Sequence, residues 1–171
     1  WRADAPAAEP FDLIEAGAGN GRLMRDVLDA LAVDHPACHA AARVHLVERS
    51  ASARARHADT LGPHAPALAS SQAELPASAS GVLVSNELLD AFPVHRLRMT
   101  GSGLREIYVA EQDGALALRE GEVSSPDLSA YLDDLELTLP TGAVADVSPA
   151  AIAWVRQAAA RLTHGTMLFI D

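Results

Sequence analysis

The stretch Phe11-Asp-Leu-Ile-Glu-Ala-Gly-Ala-Gly-Asn-Gly21 decides the fold. Its first six residues are mostly apolar and predict a short buried strand. The glycines at positions 17, 19 and 21 let the backbone turn tightly and let a ligand approach main-chain amides. Apolar residues then recur at helical spacing, at Met24, Val27, Leu28 and Leu31. The stretch therefore predicts a strand, a glycine turn and a helix in direct succession.

Strands and helices alternate along the first half of the chain. The pattern predicts strands over 42–47, 67–70 and 82–85, and a helix over 51–61 that Ser50 caps. Residues 34–40 contain His and Pro and are predicted to form a loop. Such alternation indicates a mostly parallel sheet flanked by helices, that is, an α/β Rossmann-like fold.

The second half of the chain has a different pattern. Residues 94–99, 104–110 and 115–119 predict three β segments joined by glycine-containing turns. We therefore predict an antiparallel β insertion over 94–120, within a single domain that spans residues 1–171. A helix beginning at Ser148-Pro149 and a strand over 166–170 follow. Because the chain begins with Trp1 and ends on this strand, we expect a piece of a longer protein.

Composition and charge narrow the classes of function. The formal net charge is -10, which repels a phosphate backbone, so we expect no nucleic-acid partner. The same charge would attract a basic protein substrate, although acidic surfaces also simply keep proteins soluble. No apolar run approaches the roughly 20 residues that span a membrane, and no signal peptide is evident. We expect a protein of the bacterial cytoplasm, without a metal site, since the chain has one Cys and no metal-binding His motif.

Two acidic residues accompany the glycine turn. Glu15 directly precedes it, and Glu48 ends the second predicted strand, where a carboxylate can accept both hydroxyls of a ribose. The amino end of the following helix favours a bound anion. We predict a nucleoside-cofactor site formed by Glu15, Gly17, Gly19, Gly21 and Glu48, with Ser71 and Gln72 beside the adenine. Without the glycine turn, Glu48 would be read as an ordinary exposed acid.

The spacing of the glycines bears on which cofactor binds. Dehydrogenases that use NAD carry Gly-x-Gly-x-x-Gly, whereas this chain has Gly-x-Gly-x-Gly followed by Arg22. An acid immediately before the turn is more typical of methyltransferases that use S-adenosylmethionine. An NAD-dependent oxidoreductase remains the alternative that the shared glycine turn leaves open.

Polar side chains follow the fourth predicted strand. Asn86, Glu87 and Asp90 lie where ligands bind in open α/β sheets, at the carboxyl ends of the strands. On a helical turn Glu87 and Asp90 would share a face, because they are three residues apart. Paired carboxylates could orient a cationic or amine nucleophile and accept its proton. Solvated acids on a capped turn are an equally acceptable interpretation.

Several segments resemble the MidA-like family of methyltransferases, which includes the mitochondrial protein arginine methyltransferase that assists complex I assembly. Residues 85–94, Ser-Asn-Glu-Leu-Leu-Asp-Ala-Phe-Pro-Val, are similar to the family signature Asn-Glu-Phe-Phe-Asp-Ala-Leu-Pro-Val. Residues 15–28, Val47 to Ser50, Arg105-Glu106, Asp146 to Pro149 and 168–171 match other family segments in the right order. The departures are Leu88 and Leu89 for the aromatic pair, Ala16 for Leu, Ala18 for Pro and Asp146 for Glu.

The resemblance implies a function and roles for residues. It implies S-adenosylmethionine as the cofactor, held by the glycine turn with Glu15 and Glu48, and places Asn86, Glu87 and Asp90 on the catalytic, acceptor side. It also implies methylation of a protein side chain such as arginine, with a respiratory complex subunit as one partner. A methyltransferase-like module that assists assembly without catalysis is the alternative.

Overall fold

The computed structural model describes residues 9–171. In chain order the elements are β1 (Phe11–Ala16), α1 (Arg22–Asp34), α2 (Pro36–Ala41), β2 (Ala42–Val47), α3 (Ala51–Arg54), α4 (His57–Leu61), a 3-10 helix (Gly62–Ala67), β3 (Leu68–Gln72), β4 (Ala79–Asn86), β5 (His95–Thr100), β6 (Gly103–Gln112), β7 (Ala115–Gly121), α5 (Pro126–Asp134), β8 (Val144–Val147), α6 (Pro149–Arg161) and β9 (Leu162–Ile170). These residues form two compact units, one of 9–91 with Val155–Asp171 and one of Phe92–Trp154.

The first unit contains a five-stranded sheet in the order β3-β2-β1-β4-β9. Every neighbouring pair in it is parallel. The central strand β1 is buried at five of its six residues, as expected for a parallel strand covered on both faces. The α/β class and the mostly parallel sheet predicted from sequence are therefore confirmed.

Helix α1 covers one face of this sheet. Its fully buried residues Met24 and Leu28 pack in one cluster with Leu13 of β1 and Val44 and Leu46 of β2. The spacing of Met24 and Leu28 places both on the same side of the helix, which is the stripe that the sequence predicted. The packing fixes the start of α1 above the carboxyl ends of β1 and β2.

The order of the strands creates a crevice for a ligand. Chain progression runs outward from β1 through β2 to β3, then returns to the other side of β1 to form β4. Ligands of open α/β sheets bind outside the carboxyl ends of the strands at such a reversal. In this unit, that point lies between the end of β1 at Ala16 and its register partner Ser85 near the end of β4.

The second unit contains an antiparallel sheet in the order β7-β6-β5-β8, with α5 packed on it. Leu128 and Leu132 of α5 form a buried cluster with Leu97 of β5 and Val147 of β8. The additional antiparallel sheet predicted from sequence is thus present. Helix α5 and strand β8 also belong to this unit.

Several elements differ from the sequence prediction. Most of the predicted loop over 34–40 lies in the short helix α2, since Pro36 at a first helical turn fits the fixed φ of proline. The predicted helix over 51–61 is interrupted and forms α3 and α4. Strand β8 was not predicted, because four residues, Val-Ala-Asp-Val, carry too little alternation to be recognised without their partner β5.

No helix among the described residues is both long and apolar enough to cross a lipid bilayer.

Leu28 should carry a large part of the stability of the first unit. Leu28→Ala removes a side chain that is 0% exposed, leaves a cavity under α1 and should lower the free energy of unfolding by about 2–5 kcal/mol. Urea unfolding followed by circular dichroism measures this change. Val33→Ala on the same helix is the control, because Val33 is 80% exposed and should change the free energy by less than about 0.5 kcal/mol.

Candidate functional site

The turn between β1 and α1 depends on its three glycines. Gly17, Gly19 and Gly21 have φ values of 73°, 53° and 83°, a region that other residues seldom adopt. A Cβ at Gly17 would lie 3.1 Å from Leu88, and one at Gly21 would lie 3.1 Å from Leu46. A Cβ at Gly19 would meet nothing within 4 Å. The glycine loop, residues 17–21, is therefore closely packed at both ends and open in the middle.

Main-chain hydrogen bonds tie the glycine loop to the end of β2. The carbonyl of Val47 accepts hydrogen bonds from the amides of Gly17 and Ala18, at 2.9 and 3.0 Å. The amide of Gly21 closes a turn by donating to the carbonyl of Ala18 at 2.7 Å. The loop is thus attached to the end of β2, directly before Glu48.

Glu48 reaches back across this loop. Its Oε2 accepts a hydrogen bond from the amide of Gly19 at 2.9 Å, and its Oε1 accepts one from the amide of Ser50 at 2.7 Å. Ser50 in turn caps α3, as predicted, by accepting from the amide of Ala53. A carboxylate has about four lone-pair directions, so each oxygen of Glu48 can accept a further hydrogen bond. Glu48 therefore faces the glycine loop, where a ribose bound above the loop could reach it.

Glu15 lies beneath the start of α1. Its carboxylate is 4% exposed, and Oε2 accepts a hydrogen bond from the amide of Met24 at 3.1 Å. Met24 is in the first turn of α1, whose amides have no partners within the helix, and the preceding Gly21 offers no side chain to cap them. Burial raises the pKa of Glu15 to about 7, against the opposing effect of the Met24 hydrogen bond. Glu15 thus caps the helix from the neighbouring strand, a role that sequence analysis missed.

The end of β3 contributes the residues predicted beside adenine. The hydroxyl of Ser71 bonds to Nδ1 of the fully buried His57 at 2.8 Å, and Nε2 of His57 lies 3.0 Å from the carbonyl of Gly19. Gln72 is exposed, and its carbonyl accepts a hydrogen bond from the amide of Glu48. The fold therefore brings both residues close to Glu48. His57 was not identified from sequence, because a lone His in a short helix carries no recognisable motif.

The segment after β4 lies beside the glycine loop. Leu88 is the side chain nearest to Gly17, so the two motifs meet at the reversal of strand order. Asn86, Glu87 and Asp90 are all exposed. Glu87 and Asp90 do not lie on a helical turn: Glu87 has a φ of 50°, which cannot continue a right-handed helix, and the segment forms bends.

This bend is fastened to the end of β9. The amide of Glu87 donates to the carbonyl of Ile170 at 2.8 Å. The amides of Leu89 and Asp90 donate to the carboxylate of Asp171, at 3.1 and 3.2 Å. These bonds hold the backbone around Glu87 while leaving its side chain exposed. A residue other than glycine held at positive φ costs of order 1 kcal/mol or more, which is typical of functional segments.

Two further acids of the family motifs, Glu106 and Asp146, lie in the second unit. Glu106 is buried; although burial alone would raise its pKa, hydrogen bonds from His95, Ser124 and Tyr108 lower it to about 2. A hydrogen bond from Arg96 at 2.8 Å lowers the pKa of Asp146. Both carboxylates therefore have firm partners within their own unit.

Residues 9–171 contain no group of three or more His, Cys, Asp and Glu side chains placed to hold a metal ion.

Comparison with known proteins agrees with this geometry. Residues 1–171 match the model of a family described as "Putative S-adenosyl-L-methionine-dependent methyltransferase". The chain belongs to this family. The curated proteins contain no significant match.

Two solved structures from Burkholderia thailandensis are similar to the chain. One is a crystal structure of a COG1565 superfamily protein, with 32% identity and a TM-score of 0.77, over 95% of this chain and 43% of the other. The second is a COG1565 member bound to S-adenosyl-homocysteine, with 32% identity and a TM-score of 0.75, over 96% of this chain and 42% of the other. The chain therefore spans less than half the length of these two proteins. The prediction of an S-adenosylmethionine-dependent methyltransferase with an α/β fold is therefore confirmed, and the closer resemblance to the MidA-like family stays a prediction.

The buried carboxyl of Glu15 should make stability depend on pH. Its pKa is raised in the folded state, so its contribution to stability is fully present below pH 4.5 and is lost as pH rises through about 7. Glu15→Gln keeps an acceptor for Met24 and cannot ionise. In the ligand-free protein, the variant should match the wild type near pH 5 and exceed its stability above pH 8 by up to about 3 kcal/mol.

Chemical denaturation at pH 5, 7 and 8.5 measures this effect. Glu74→Gln is the control, because Glu74 is an exposed acid of the same unit and should give the same small difference at every pH. A Glu15→Gln variant whose difference from the wild type does not change with pH would contradict a neutral, buried Glu15.

Proposed function

We propose that this chain binds S-adenosylmethionine in the glycine loop and forms the cofactor-binding part of a methyltransferase. The observation that carries the proposal is the contact between Oε2 of Glu48 and the amide of Gly19 at 2.9 Å. It holds a ribose-accepting carboxylate directly against the loop that a nucleoside cofactor approaches. The related COG1565 protein with S-adenosyl-homocysteine bound supports this choice of ligand.

The glycine loop fits the amino-acid end of the cofactor. Within the described residues, the amides of Asn20 and Leu23 make no hydrogen bond, and both lie at the amino end of α1. Unpaired amides and the helix dipole together favour a carboxylate at this point. The carboxyl of Glu15 lies just below, where an ammonium group would favour its ionised form. Carboxylate and ammonium thus each have a partner of opposite charge.

The nucleoside end fits the ends of β2 and β3. Glu48 can accept hydrogen bonds from ribose hydroxyls while keeping its bonds to Gly19 and Ser50. Ser71 and Gln72 lie on the next strand, at the side away from β1, in the position proposed for the adenine. The ligand would therefore extend across the carboxyl ends of three neighbouring strands, from β1 to β3.

When bound, S-adenosylmethionine supplies an electrophilic methyl group on a sulfonium. The residues of this chain hold the donor and align the acceptor, and positioning of this kind can supply roughly 7–11 kcal/mol of the barrier. Glu87 and Asp90 are the acids proposed to orient the acceptor and take its proton, with Asn86 beside them. Their bend touches the glycine loop through Leu88, which supports a place next to the transferred methyl group.

We infer an arginine side chain of a protein as the acceptor. A guanidinium is a weak nucleophile because its lone pair is delocalised, so a neighbouring carboxylate is needed to localise its charge. The exposed acids after β4 and a net charge of -10 would both attract such a substrate. A basic subunit of a respiratory complex is one protein of this kind. A role in assembly without catalysis is the competing function, and the two differ in whether any methyl group is transferred.

Binding of S-adenosyl-homocysteine tests the cofactor. In isothermal titration the wild type should bind it, and Glu48→Gln should weaken binding roughly 10- to 100-fold, because one charged acceptor of the ribose is lost. Glu74→Gln, which replaces an exposed acid of the same unit, should leave the affinity unchanged. Stabilisation by NAD and not by S-adenosyl-homocysteine in a thermal-shift assay would refute the methyltransferase proposal.

Transfer of labelled methyl groups tests the acceptor. With S-adenosylmethionine as donor, mass spectrometry should show methylation of an arginine-rich peptide and not of its lysine counterpart. Glu87→Gln should lower the rate at least tenfold without changing affinity for S-adenosyl-homocysteine, since Glu87 acts on the acceptor. Glu74→Gln again serves as the control. Methylation of the lysine peptide only would overturn the choice of arginine as acceptor. An undiminished rate in Glu87→Gln would overturn the role of Glu87. No methyl transfer at all would favour the role in assembly.

A further inference from the structure

His57 is buried between the glycine loop and β3. It is the first residue of α4 and is 0% exposed. Its ring packs near Gly21, where a Cβ would lie 3.5 Å from Cδ2 of His57. It bonds on one side to the carbonyl of Gly19 and on the other to the hydroxyl of Ser71.

The carbonyl partner of His57 fixes a proton on one of its two ring nitrogens. A carbonyl can only accept, so Nε2 must be protonated and must donate to the oxygen of Gly19 at 3.0 Å. Nδ1 forms the second hydrogen bond, with the hydroxyl of Ser71 at 2.8 Å. The direction of the hydrogen bond to Gly19 is therefore defined by chemistry alone.

Gly19 is held from both sides as a result. Its amide donates to Glu48, and its carbonyl accepts from His57. Apart from these bonds the residue is open, because an added Cβ would meet nothing within 4 Å. Hydrogen bonds, and not packing, thus determine its orientation.

The carbonyl of Gly19 and the amide of Asn20 belong to one peptide unit. This unit is planar and trans, so the N–H points in the direction opposite to the C=O. With the carbonyl directed at the buried ring of His57, the Asn20 amide points away from the interior. The unit is also the central peptide of the turn from Ala18 to Gly21. Turns with a positive φ at the first central residue, here 53° at Gly19, exist in two types that differ by a flip of this peptide.

We propose that His57 is a positioning residue that holds the Gly19–Asn20 peptide with its N–H directed at the carboxylate of the cofactor's amino-acid end. The inference rests on the proposed function, since it concerns how the same loop binds its ligand. His57 does not touch the ligand. It acts through the peptide, by preventing the flip that would turn the Asn20 amide inward and the Gly19 carbonyl towards an anion.

The affinities for two ligands distinguish this role of His57 from a general loss of folding. S-Adenosyl-homocysteine has the carboxylate, whereas 5′-methylthioadenosine has the same nucleoside without the amino-acid end. His57→Leu fills the space but has no donor, and should weaken S-adenosyl-homocysteine roughly tenfold in isothermal titration while changing methylthioadenosine by less than about twofold. His57→Gln has an amide donor and should recover most of the lost affinity.

His64→Leu is the matched control. His64 is also buried and also has two side-chain partners, Asp29 and His39, but none of the three belongs to the glycine loop. This variant should bind both ligands as the wild type does, even if its melting temperature falls as far as that of His57→Leu.

The outcomes distinguish the two proposals. If the wild type binds no S-adenosyl-homocysteine, the proposed function fails. If the wild type binds it and His57→Leu weakens neither ligand, or weakens both equally, the role of His57 fails. Should His57→Leu not fold, nitrogen-15 spectra of the wild type decide, because an Nε2 of His57 without a proton would overturn the inference and a proton on Nε2 would support it.

Discussion

The hydrogen bonds between the end of β2 and the glycine loop are the constraint on which the site depends. Val47 accepts from two amides of the loop, and Glu48 accepts from a third. These bonds turn a flexible run of glycines into a fixed surface above the sheet. They also make the end of one strand supply both the support of the loop and the carboxylate that we propose for the ribose. A shift of β2 by one residue would remove both together, because successive side chains point to opposite faces.

The first turn of α1 must both let a ligand approach closely and have its free amides capped. A loop that must approach a ligand closely ends in glycine, so it cannot offer a capping side chain to the helix that follows. Glu15 supplies the cap from the adjacent strand, but its burial raises its pKa to about 7. The unfavourable charge is thus placed where a cationic ligand would compensate it. A ligand with a positive charge at this point would bind more tightly, because it offsets the cost of ionising a buried carboxylate, a cost that is already present in the ligand-free protein.

The features that could be predicted from the sequence are those that a local pattern of residues determines. Three glycines after an apolar strand predicted the turn, and the spacing of Met24 and Leu28 predicted the buried face of α1. By contrast, His57 bonds to a residue 38 positions away, and no local signal marks such a contact. The backbone at Glu87 could not be predicted either, since hydrogen bonds from Glu87, Leu89 and Asp90 to the end of β9 determine it. In both places, contacts with residues far away in the sequence determine the local structure.

The hydrogen bonds to Gly19 from side chains on either side explain how the glycine loop can be both fixed in conformation and open to a ligand. A loop stiffened by apolar packing would have its ligand-facing side covered by the groups that stiffen it. Here Gly19 is fixed by a carboxylate on its amide and an imidazole on its carbonyl, and the space around its α-carbon stays clear. Little ordering of the backbone is then left to occur on binding, which favours affinity. The same arrangement makes the loop sensitive to changes in buried side chains that a ligand never contacts.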